Sequence, residues 1–168
     1  MMGAMTATRE VPGPGQESAW DYPRPPRVEP SSESVEIRFG GRLVARSTRT
    51  VRVLETSHPP TYYVPESDFE PGTLRPAQGS TRCEFKGDAA YFDVVAGEAV
   101  ARSAAWTYRE PMPGFEALVG HVAVMPSAMD ECRVDDEVVT PQQGGFYGGW
   151  VTSRVVGPFK GAPGTWGW

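Results

Sequence analysis

Alternating apolar and polar positions dominate the middle of this chain. Val35, Ile37 and Phe39 fall on one side of an extended segment and Glu36 and Arg38 on the other, which predicts a half-buried strand. Gly40-Gly41 supplies the positive backbone angles of a tight hairpin, and Leu43-Val44-Ala45 begins the return strand. Thr50-Val51-Arg52-Val53-Leu54 repeats the pattern. Tyr62-Tyr63-Val64 predicts a short strand between Pro59-Pro60 and Pro65; since proline cannot donate to a ladder, it is expected at a sheet edge or beside a loop. Strand parity sends Tyr62 and Tyr63 to opposite faces, so at most one of them can look into a cavity.

Residues 66–80, with Pro71, Gly72, Pro76 and Gly79, read as a surface loop. Strands are predicted over 81–86 and 90–95, joined through Gly87-Asp88, and then over 99–101, 104–108 and 121–125, with a hairpin at Ala96-Gly97. Only 114–120 suggests a helix, of barely two turns. Residues 130–139 alternate poorly, although Val134, Val138 and Val139 are able to pack. About eight short strands and one short helix favour a small antiparallel, mainly β fold. The stretch Gly41-Arg42-Leu43-Val44-Ala45-Arg46-Ser47 echoes Gly97-Glu98-Ala99-Val100-Ala101-Arg102-Ser103. Two readings fit that echo: a duplicated β unit, or two unrelated hairpins with short Val/Ala returns.

The ends differ from this body. Residues 1–16, with Pro12-Gly13-Pro14-Gly15 and no apolar period, are expected to be disordered. Residues 17–34 form an extended proline-rich arm whose Trp20 and Tyr22 either cover an open edge of the core or rim a ligand site. Residues 35–139 make up the β domain. Residues 140–168 carry eight of the 19 glycines and six of the 18 aromatic residues. A flexible linker would have the glycines without the rings, so this tail is expected to dock on the body or on a second subunit; monomer and homodimer both stay open.

A formal charge of −5 in 168 residues argues against a nucleic-acid partner, which would need clustered Lys and Arg. No apolar run approaches a membrane span, and no leader pattern opens the chain, so the expectation is a soluble cytoplasmic protein without a membrane partner. Polar and aromatic residues that could share one cavity are concentrated in 58–68, 83–91 and 105–108. They nominate His58, Tyr63, Asp68, Lys86, Asp88, Tyr91, Trp106 and Tyr108 as ligand-binding residues, because small-molecule sites combine aromatic walls with a few polar groups. Lys86 and Lys160 are the only lysines, and each sits in Phe-Lys-Gly, a turn able to hold an anion.

The run His58-Pro59-Pro60, Tyr63-Val64-Pro65 and Asp68, then Cys83-x-Phe85-Lys86-Gly87-x-Ala89-x-Tyr91, then Ala105-Trp106-x-Tyr108 resembles domain-of-unknown-function family 427. Glu84 stands where the Cys-Pro-Phe-Lys-Gly signature has proline. The resemblance spans roughly Val35 to Tyr108 and continues loosely to Val122. The tail segments Tyr147-Gly148-Gly149-Trp150 and Gly157-Pro158-Phe159-Lys160-Gly161 look like an extension carried by one branch. It implies a bacterial protein with a β-tent-like fold of two facing sheets, similar to methionine sulfoxide reductase B and the thalidomide-binding domain of cereblon, and no established activity. A nucleotidyltransferase label attached to the family at times finds no support here, since no closely spaced Asp pair follows Gly79-Ser80.

Several β-tent relatives hold zinc on paired Cys-x-x-Cys knuckles. Cys83, Cys132, His58 and His121 show no such spacing, so neither metal nor cofactor is expected. Cys83 would act as a nucleophile only with its thiol activated by His58 or Lys86. Three roles follow: a small-molecule-binding domain first; an enzyme of unknown reaction using His58, Lys86 or Asp88 for proton transfer second; an interaction module working through the tail third.

Overall fold

The structure is a computed structural model that describes residues 7–83 and 85–168. Six positions of the stretch expected to be disordered, 1–6, lie outside the described residues. Further along, the Glu10 N–H donates to the Gly157 carbonyl and the Gln16 amide to the Ser153 carbonyl.

The fold is mainly β. The first strands are β1 (Glu17–Ser18), β2 (Arg27–Ser31), β3 (Val35–Phe39), β4 (Arg42–Ser47), β5 (Thr50–Leu54) and β6 (Thr61–Pro65). Two long strands, β7 (Leu74–Cys83) and β8 (Gly87–Ala96), precede β9 (Ala99–Thr107) and β10 (His121–Val124). Short strands complete the chain: β11 (Glu131–Val134), β12 (Glu137–Val138), β13 (Thr140–Pro141), β14 (Trp150–Val151) and β15 (Val155–Val156). The helix expected over 114–120 is a single 3-10 turn, Glu116–Leu118, and similar turns occupy Ala19–Asp21, Glu66–Asp68 and Pro126–Ala128.

Seven strands form one antiparallel sheet in the order β2-β5-β6-β10-β9-β8-β7, and four form another in the order β12-β11-β3-β4. The two sheets face each other across the main core. Val35, Ile37, Val44, Ala45, Cys132 and Val134 from the smaller sheet meet Tyr62, Val64, Phe92, Val94, Ala105, Val122 and Val124 from the larger. Alternation therefore works as the pattern requires: Tyr62 enters the core between the sheets, while Tyr63 points to the outer face of the larger sheet with Val51, Val53, Ala89, Tyr108 and Ala123.

Two sequence expectations need correcting. Of the two placements expected for the strand containing Tyr62 and Tyr63, the edge is ruled out, because β6 lies between β5 and β10. The place beside a loop holds, since the segment 55–60 leads directly into β6. Its prolines flank the segment or close its last rung, where Pro65 opposes His121, so the residues between them remain free to donate. Residues 66–80 are not all loop either, since β7 begins at Leu74. Pro76 is tolerated because β7 is an edge strand with an irregularity between Pro76 and Ser80, where its register against β8 shifts.

The two echoing hairpins meet at their tips. A side chain at Gly40, whose φ is +60°, would press on Ala96 and Ala99, and the Arg42 guanidinium lies against Gly97. At the chain's start, β2 extends the large sheet by pairing along β5 from Arg27–Leu54 to Ser31–Thr50. Tyr22 and Ala19 pack with Leu54 and Val155, and the Trp20 indole donates to the Pro158 carbonyl and meets Trp168 edge-on. The tail returns over the body: Trp150 is fully buried 5.0 Å from the Tyr62 ring, and its backbone N–H donates to Pro60. Among the described residues, no helix is long and apolar enough to cross a membrane.

Candidate functional site

Cross-strand register builds an aromatic row on the outer face of the large sheet. Tyr91 on β8 opposes Trp106 on β9, which opposes Ala123 on β10. A cavity of about 460 Å³ opens beside Tyr91 and Trp106. Tyr63 and Tyr108 rise beside it with ring centroids 6.3 Å apart. Trp106 Nε1–H donates to Tyr63 Oη at 3.1 Å, and the Tyr91 and Thr81 hydroxyls share a 2.7 Å hydrogen bond. Burial raises the Tyr63 and Tyr108 phenol pKa values well above the usual tyrosine range, so both rings stay neutral.

Of the eight nominated residues, six line this cavity: His58, Tyr63, Lys86, Tyr91, Trp106 and Tyr108. The other two lie elsewhere. Asp68 ends a 3-10 turn, where it accepts from Ser47 and Arg49; hydrogen bonds from the Arg49 guanidinium hold its carboxyl below the usual range. Asp88 is exposed on β8 and faces Arg82 at 3.6 Å. The link between β7 and β8 includes Phe85 and Lys86, not Gly87-Asp88 as the sequence suggested: β8 already begins at Gly87. Cys83 and Lys86 consequently line the same cavity, although a continuous strand would have set them on opposite faces. Glu84 lies outside the described residues.

The tail supplies the wall that local periodicity missed. Gln142, Phe146, Tyr147, Gly148 and Lys160 all face the cavity. Gly148 packs so closely that an added methyl would collide with the Trp106 ring, and one at Gly149 would collide with Pro59 and the Gln142 amide. Tyr147 meets His58 edge-on at 4.8 Å. The tail rings therefore wall the cavity without filling it.

Gln142 is the staple. Its Oε1 accepts from Gly149 N–H, which leaves Nε2 to donate both hydrogens: one to the Lys160 carbonyl at 2.7 Å and one to His58 Nδ1 at 3.1 Å. That assignment fixes the imidazole tautomer, because an amide nitrogen can only donate. Nδ1 is the acceptor, and the proton sits on Nε2, 3.6 Å from Glu55. Burial, aided by Lys160 and Arg24 and opposed by Glu55, pushes the His58 pKa down to about 4.

The four potential metal ligands are dispersed. Cys132 is buried between the sheets, where desolvation pushes its thiol up to about 12. His121 stands at the start of β10 with Nδ1 3.0 Å from the Val119 carbonyl oxygen, while His58 and Cys83 line the cavity.

A family model described as "Domain of unknown function (DUF427)" matches residues 27–135. No curated protein matches the chain. The matched region contains the aromatic floor of the cavity, and the wall built from Gln142, Tyr147, Gly148 and Lys160 lies beyond it.

Proposed function

Because the chain belongs to domain-of-unknown-function family 427, whose description assigns no chemistry, we propose a role from its cavity: a small-molecule-binding β domain. The observation that carries this reading is the aromatic cavity on the outer face of the large sheet, of a size that drug-sized ligands fill and walled by Tyr63, Tyr91, Trp106, Tyr108 and Tyr147. Rings of this kind offer flat apolar faces with polar edges, which suits planar ligands. The tail completes the wall of its own chain's cavity, so the proposed binding needs no second subunit.

Binding is favoured over acid–base catalysis by the state of His58. Both imidazole nitrogens face protein groups, Gln142 and Glu55, and the ring is neutral near pH 7. Nδ1 is held by the Gln142 amide, and a ring with its pKa near 4 is a weak base toward a ligand in the cavity. Of the other acid–base candidates, Asp68 and Asp88 lie outside the cavity, and Lys86 lines it.

Saturation-transfer NMR with a panel of planar aromatic fragments tests the reading. Fragments should bind the wild-type chain and lose binding on Trp106→Ala with the circular dichroism spectrum unchanged, while Trp20→Ala, whose indole meets Pro158 and Trp168 outside this cavity, should keep it. Equal binding by the Trp106→Ala variant would overturn the reading.

A further inference from the structure

Both lysines of the chain reach this one cavity, from turns built in the same way. In each Phe-Lys-Gly, the glycine takes a positive φ directly after the lysine, +110° at Gly87 and +130° at Gly161. A side chain at Gly87 would press on the Glu110 carbonyl, and one at Gly161 would collide with that of Gln143. Backbone bonds anchor both lysines: Lys86 C=O accepts from Met112, and Lys160 N–H donates to Ser57 while its C=O accepts from Gln142. Each ammonium then lies over a tyrosine on the wall, Lys86 Nζ 5.8 Å from the Tyr108 ring centre and Lys160 Nζ 5.7 Å from that of Tyr147.

Among the described residues, no carboxylate neutralises their charge. Ten of the fourteen arginines have a carboxylate within ion-pair distance, yet among the described residues neither lysine does. Arg82 on the cavity rim faces Asp88, and Glu55, the one carboxylate among the described lining residues, is paired with Arg24 at 3.1 Å. A chain of net charge −5 thus brings together two lysines, neither ion-paired among the described residues, beside tilted and edge-on rings. A cation–π contact orients an ammonium but leaves its charge available to an anion.

Resting on the reading of this cavity as a ligand site, we infer that its ligand class is the planar aromatic anion, with the ring against Trp106, Tyr63 and Tyr91 and the anionic group between Lys86 and Lys160. The probes are 2-naphthoate and its neutral, nearly isosteric amide, 2-naphthamide, titrated calorimetrically into the full chain at low ionic strength. Naphthoate should bind at least tenfold more tightly than the amide, with the difference shrinking as salt is raised. Lys86→Gln and Lys160→Gln should each weaken naphthoate several-fold and leave the amide unchanged. Equal affinities for the two probes, or lysine variants that weaken both equally and lower the melting temperature, would overturn the inference while leaving a ligand cavity intact. Binding of neither probe would remove the cavity reading and the inference together.

Discussion

Gln142 and His58 are joined across 84 positions of sequence by one hydrogen bond, from the Gln142 amide to His58 Nδ1 at 3.1 Å. The same amide holds the Lys160 carbonyl and the Gly149 N–H, so one buried side chain ties three points of the tail to the loop after β5.

Gln142→Leu should therefore cost more than a surface substitution. It leaves a buried carbonyl, a backbone N–H and an imidazole nitrogen without partners, and leaving such groups unsatisfied costs roughly 1–3 kcal/mol. Urea denaturation should register that loss. Hydrogen exchange should accelerate at Gly149 and Lys160 before it does in the central strands β6 and β10. Uniform acceleration throughout the chain would show that the tail does not open as a separate unit.

Stability should also depend on pH through His58. Its pKa falls from 6.5 unfolded to about 4 folded, so the unfolded chain takes up the proton first as pH drops. The contribution is complete above about pH 6.5 and is lost progressively down to about pH 4, amounting to roughly 3 kcal/mol at about 1.4 kcal/mol per pKa unit. Urea midpoints between pH 4 and 7 should fall more steeply for wild type than for His58→Gln. An imidazole NMR titration centred near 6.5 in the folded protein would contradict the burial argument.

Gly148→Val should distort the cavity directly. The added side chain meets the Trp106 ring, and overpacking of this sort costs typically about 1–3 kcal/mol. A changed near-UV dichroism spectrum with an unchanged far-UV spectrum is the expected signature, together with weaker fragment binding.

Trp150 separates packing from hydrogen bonding. Its ring is fully buried against Tyr62, but among the described residues its Nε1–H has no acceptor. Trp150→Ala should cost about 3–5 kcal/mol, the usual range for emptying a large aromatic site. Trp150→Phe should cost much less, since it removes the unpaired N–H along with part of the ring. Similar melting temperatures for the two variants would mean that the ring contributes little packing.

Local pattern carried the sheets well. Val35, Ile37 and Phe39 lie on β3 as their alternation requires, and parity separated Tyr62 from Tyr63 correctly. It failed where strand position depends on distant partners. Pro76 is compatible with β7 only because no strand pairs beyond it, and nothing in residues 66–80 reveals that edge. Proximity in sequence also misled: Asp68 and Asp88 lie close to cavity residues along the chain, yet a 3-10 turn carries one to Arg49 and strand parity turns the other toward Arg82. The tail's part in the cavity left one trace, the second Phe-Lys-Gly. Gln142 left none, because a staple whose hydrogen bonds reach 7, 18 and 84 positions away has no local periodicity.

The cavity's floor and its far wall come from separate stretches of chain, and the family match ends at residue 135, before the wall begins. That wall is not dispensable for folding, because Trp150, in the same stretch, is buried in the main core. In the proposed binding role, replacing an exposed wall residue such as Phe146 would reshape what the chamber accepts while the sheet beneath still assembles.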